Sequence, residues 1–151
     1  MNELILMLHV FFGVVCILGS LWVFVDTLNA SAANTGRIRK ISWLVAGAMW
    51  AGYLLAGYWY VNFYPADKAV ILKGPFPAAH NFFMETKEHI VIMLLLLATY
   101  LPIAAANDLV TNRGARKLVL WVAALVAVTA LSAEGMGAII AMGVKVGLQT
   151  K

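Results

Sequence analysis

Residues 4–28 contain one charged side chain, Asp26, and are otherwise almost wholly apolar. Three further apolar stretches follow at residues 41–63, 80–106 and 118–143, and together the four fill most of the 151-residue chain. An α-helix rises about 1.5 Å per residue, so about 20 apolar residues cross a hydrocarbon core of roughly 30 Å. Within lipid, backbone amides and carbonyls must find their partners inside the protein, which restricts spanning segments to helices or closed barrels. Stretches of this length suit helices.

Composition agrees. Hydrophobic residues make up 63% of the chain and charged residues only 12%, with a mean hydropathy of +0.87. A soluble domain carries about 25% charged residues. The expected fold is therefore all-α, an integral membrane antiparallel four-helix bundle forming a single domain over residues 1–151, since short loops join consecutive helices as antiparallel neighbours. No Lys or Arg precedes the first apolar run, so it is expected to be a retained span rather than a cleaved signal. The lone cysteine, Cys16, rules out an intrachain disulfide and a paired-thiolate metal site. The net charge of +4 sits at the ends of the spans, which argues for membrane topology rather than nucleic-acid binding.

The loops set an orientation. Arg37, Arg39 and Lys40 follow span one, and Arg113, Arg116 and Lys117 precede span four. The middle loop holds Lys68 and Lys73, and the tail holds Lys145 and Lys151. The positive-inside tendency then places loops one and three in the cytoplasm, with both termini and the middle loop outside the cell (inner) membrane. The middle segment 65–78 contains Pro65, Pro75 and Pro77 and is expected to be irregular. Pro102 is expected to kink the end of span three.

Polar residues interrupt the spans at one level. His9 lies 17 residues from Asp26, Glu134 17 from Lys117, Tyr58 18 from Lys40 and His89 19 from Asp108. Each therefore stands roughly 25 to 29 Å from the cytoplasmic boundary. Glu85, Glu88 and His89 are spaced i, i+3, i+4 and are expected to share a helix face, with Lys87 turned the opposite way to snorkel outward. A charge at mid-membrane costs roughly 2.5 to 3.5 kcal/mol, so these groups require a partner.

Carboxylates and imidazoles on facing helices suit a transition metal, with iron preferred and zinc or manganese as alternatives. The expected ligands are His9, Glu85, Glu88, His89 and Glu134, with His80 at the entrance and Tyr58 as a hydrogen-bonding or redox-active neighbour. Such a centre in the outer, periplasmic half of the bundle would serve a redox enzyme acting on oxygen or a lipid-soluble substrate such as quinol. A second reading places one haem b between His9 and His89, with Gly13 giving the porphyrin room one turn from His9. A third is a non-catalytic accessory or proton-pathway subunit, held in a homo-oligomer or a larger membrane complex. The Glu-x-x-His pair of soluble di-iron bundles is absent from span three, because Glu88 and His89 are adjacent.

Overall fold

The computed structural model describes residues 2–149. Among these, the chain forms five α-helices and one π-helical turn. They are α1 (Asn2–Leu28), α2 (Thr35–Asn62), the short α3 (Tyr64–Lys73), the π-helical turn Ala79–Met84, α4 (Glu85–Ala105) and α5 (Arg113–Gln149). Four helical segments, Glu3–Leu28, Thr35–Asn62, Ala79–Ala105 and Arg113–Gln149, are long and apolar enough to cross a membrane.

The long helices form a bundle in which α1 packs beside α2 and α5, and α4 packs beside the same two. A 3–4 spacing of buried or small residues selects the inward faces. On α1 the stripe is His9, Gly13, Cys16, Ser20, Val23 and Thr27; on α2 it is Ile38, Ser42, Val45, Met49 and Gly52. From the end of the π-helical turn along α4 it is Met84, Lys87, Val91, Leu94, Ala98 and Leu101, and on α5 it runs from Val119 through Ala123, Val126, Ala130, Ala133 and Gly137 to Ile140. This period of 3.5 is the geometry of helices crossing at shallow angles with interlocking side chains. Alanine, glycine and valine dominate the stripes, which lets the backbones approach closely. The opposite faces carry exposed Met7, Trp43, Leu54, Leu96, Trp121 and Leu131, an apolar exterior.

Hydroxyl groups within the apolar helices are satisfied locally. Ser20, Thr27, Ser42, Thr99, Thr129 and Ser132 each donate to the carbonyl four residues earlier. Such bonds remove the cost of an orphan polar group in an apolar setting. Trp50 Nε1 also donates to Thr99 Oγ1 at 3.0 Å, tying α2 to α4.

One end of the bundle is closed by polar clamps. Arg37 grips both carboxylate oxygens of Asp26 at 2.7 and 2.9 Å. Arg39 donates to the carbonyls of Ala105, Ala106 and Asn107, satisfying acceptors that the end of α4 leaves open. Asp108 accepts from the backbone amides of Val110 and Thr111 and from the Thr111 hydroxyl, which holds its carboxyl below the usual range.

The other end differs from expectation, because the proline-bearing middle segment is largely helical. Pro65 sits in the first turn of α3, where its missing amide costs nothing; Asp67 follows in that turn, and Lys73 lies in the last. Both charges complement the helix dipole. α4 continues through Pro102 to Ala105. At 37 residues, α5 is about 55 Å long, well beyond a hydrocarbon core of roughly 30 Å. Its final turns pack on α3 and the π-helical turn. There Gly147 lies so near Gly74 that a β-carbon on the latter would stand 2.8 Å from the Gly147 α-carbon.

Candidate functional site

The α4 stripe brings Lys87, not the glutamate–histidine face, into the bundle. Met84, Leu94, Ala98 and Leu101 are all buried, and Lys87 and Val91 fall in register with them. Glu85 and His89 flank Lys87 by two residues on either side and are exposed. The His89 ring turns back on its own helix, donating from Nδ1 to the Glu85 carbonyl at 2.7 Å. Lys87 thus departs from the expected outward path. Its Nζ lies over Gly137 of α5, 2.9 Å from where a β-carbon would stand.

Glu134 lies one turn from Gly137 and fills the space that a side chain at Gly13 of α1 would need. His9, one turn before Gly13, completes the group. Its Nδ1 is 3.0 Å from the Gly52 carbonyl on α2. A carbonyl only accepts, so Nδ1 carries the ring hydrogen and Nε2 of the neutral ring keeps its lone pair. Among the described residues no buried side-chain nitrogen or oxygen lacks a partner, so Nε2, which bonds to none of them, is open to the adjoining space. The charges of Lys87 and Glu134 both act on the His9 ring. They are not in direct contact with each other, since the ion pairs within 4.0 Å among the described residues are Arg37–Asp26 and His80–Glu85.

Two spaces adjoin this group. A small chamber of about 30 Å³ is bordered by His9, Gly13, Lys87 and Glu134, with Cys16, Met49, Leu94 and Ala130 among its apolar walls. A larger cleft of about 500 Å³ opens beside it, and His9 and Lys87 border both. The cleft walls are mainly apolar and aromatic, including Tyr53, Trp59, Tyr60, Val91, Ile92 and Ile140, with Glu88 and Asp67 as further polar groups. Glu88 neighbours the Tyr60 hydroxyl. Burial raises the Asp67 carboxyl above its ordinary value.

The remaining expected residues lie apart. His80 is buried in the π-helical turn, with Nδ1 2.9 Å from the Tyr64 hydroxyl and Nε2 3.8 Å from Glu85 Oε1. Burial pushes the Tyr64 phenol above its ordinary value. Tyr58 is exposed and packs edge-on against Phe63. Of the seven residues expected to gather, the structure joins His9 and Glu134, sets Glu88 on the cleft, and leaves Glu85, His89, His80 and Tyr58 elsewhere. Among the described residues no three His, Cys, Asp or Glu side chains form a metal-ligand group. His89 borders neither of these two spaces. Lys87 is the residue that sequence reasoning misplaced, and the 3–4 spacing from Met84 to Leu101 was the signal that locates it.

The chain matches no protein-family model, no curated protein and no solved structure.

Proposed function

We propose that the protein is a four-span antiparallel membrane protein that binds a lipid-soluble ring compound of the quinol class in the cleft. One observation carries this reading: an acceptor, His9 Nε2, and a donor, the Lys87 ammonium, border the same largely apolar space of about 500 Å³. A ring hydroxyl has one hydrogen to give and an oxygen to receive, so one such group meets both partners. The apolar walls accept the ring and its hydrocarbon substituents, the usual makeup of a small-molecule site. His9 then takes the hydroxyl proton, with the O–H bond breaking as Nε2–H forms, and Lys87 stabilises the oxygen anion left behind. Glu134, one turn from His9 across Gly13, balances the resulting imidazolium. A metal ion at His9 and Glu134 would need further ligands and would have to displace the Lys87 ammonium.

The contacts Trp50–Thr99 and Arg39–Ala105 support antiparallel α2 and α4, because residue numbers rise on one helix as they fall on the other. The loop charges favour an inner-membrane protein with the Arg37–Asp26 end in the cytoplasm and the cleft toward the outer face. Maleimide labelling of single cysteines at positions 33 and 68 in intact cells tests this, with labelling expected only at 68.

A short-chain alkyl benzoquinol titrated into purified protein, followed by the fluorescence of Trp59 in the cleft wall, tests the function. Saturable binding is expected, weakened about tenfold or more in His9→Leu and Lys87→Met, a loss of about 1.4 kcal/mol each. His89→Ala is expected to bind as the wild type does. Absence of saturable binding, or equal binding by all variants, overturns the proposal. Stoichiometric metal that is lost in Glu134→Gln would instead favour a metal centre.

A further inference from the structure

The chamber of about 30 Å³ beneath the cleft has a distinct composition. Its walls are apolar except where His9, Lys87 and Glu134 border it. Glu134 and Lys87 are each seated against a glycine of α1 or α5, and the two are not within 4.0 Å of each other. Two opposite charges in an apolar interior that do not touch call for a polar bridge, since each alone carries a large desolvation cost. One water molecule requires about 10–15 Å³ of such volume and two to four polar partners. The chamber has that volume, and His9, Lys87 and Glu134 among its lining residues offer the polar partners.

We infer that this chamber is a water site that bridges Lys87, Glu134 and His9 and carries the ligand's proton from His9 to Glu134. The water accepts from the Lys87 ammonium, donates one hydrogen to a Glu134 oxygen and, with no ligand bound, donates the other to the His9 Nε2 lone pair. Once His9 has taken a proton and the ligand oxygen has moved away, Nε2–H donates to the water instead. The proton then moves in one balanced step: Nε2–H breaks, the water gains that hydrogen and passes its own to the carboxylate, and a Glu134 O–H forms. The water is regenerated, and His9 Nε2 regains its lone pair. Ala130 forms part of the wall and is itself buried, so a larger uncharged side chain there takes up chamber volume. This inference rests on the proposed acid–base role of His9, but its test does not use the ligand.

Water-edited solid-state NMR of the protein in lipid, without quinol, measures magnetisation passing from water to individual side chains. Strong early transfer is expected at the Glu134 carboxyl carbon and the Lys87 carbon next to the amine, with none at Val126, a buried core residue. Ala130→Val is expected to abolish the Glu134 signal while the remaining spectrum is retained. Wild-type protein showing no transfer at Glu134 overturns the inference, whatever happens to the variant. Transfer that persists unchanged in a folded Ala130→Val protein overturns it too. Quinol titration of the same samples is scored separately, so failure of the water site and failure of the ligand site are distinguishable.

Discussion

The Glu134 carboxylate of α5 occupies the space that a β-carbon on Gly13 of α1 would take. This contact brings an acid from one helix to within a turn of His9 on another, and it makes Gly13 a condition of the site. Gly13→Ala must push the carboxylate away, and overpacking of this kind costs about 1–3 kcal/mol. Gly137→Ala meets only the end of the flexible Lys87 side chain, and alanine is the better helix former by up to about 1 kcal/mol. Thermal unfolding in detergent is expected to rank Gly13→Ala below the wild type and Gly137→Ala at or above it. The reverse order would contradict the packing described.

Lys87→Met leaves Glu134 facing the chamber without its cation. Stability is expected to fall by about 1–3 kcal/mol, the cost of stranding one polar group of a coupled set. Lys87→Met combined with Glu134→Gln is expected to recover most of that loss, because no net charge is then left inside. Binding of the quinol probe is not expected to return, since the donor is gone. A double-mutant cycle on unfolding separates the two effects; strictly additive losses would show that the two charges are independent.

Two acidic groups outside the four long helices give pH effects of opposite sign. Burial raises Asp67, so its contribution is fully present below its unfolded pKa of about 3.9 and is lost as pH rises through the folded value. Asp67→Asn is therefore expected to raise the unfolding temperature at pH 7 and to have no effect near pH 3. Hydrogen bonds from Thr111 and Val110 lower Asp108, so its contribution is present at neutral pH and is lost as pH falls through the folded value. Asp108→Asn is expected to lower the unfolding temperature at pH 7 and to match the wild type in strong acid. Thermal melts across this pH range check both signs.

Tyr64→Phe removes the only side-chain partner that His80 Nδ1 has among the described residues. With His80 buried, the expected cost is about 1–3 kcal/mol, whereas Tyr58→Phe on the exposed face should change stability by less than about 0.5 kcal/mol. Denaturant titration in mixed micelles compares the two variants, and equal effects would contradict the buried pairing.

The sequence made the four long helices legible because long apolar stretches are read from residue order alone, with no knowledge of packing. It also brought His9 and Glu134 to one level, since depth follows from residue counts alone. Rotation was harder to read. Glu85, Glu88 and His89 are chemically conspicuous, yet burial of Leu94, Ala98 and Leu101 fixes which side of α4 faces inward, and that side includes Lys87. The small residues that receive the charges, Gly13 and Gly137, reveal their role only once the partner helix is beside them. α3 was obscured by its prolines, although Pro65 stands where a helix tolerates one.

The stripe on α4 ties Lys87 to the same rotational setting as the buried hydrophobic residues below it. Turning the helix far enough to release the amine would drag Leu94, Ala98 and Leu101 out with it. The burial that completes the bundle thus also decides the wall from which the Lys87 side chain rises, and leaves only its flexible end free to adjust.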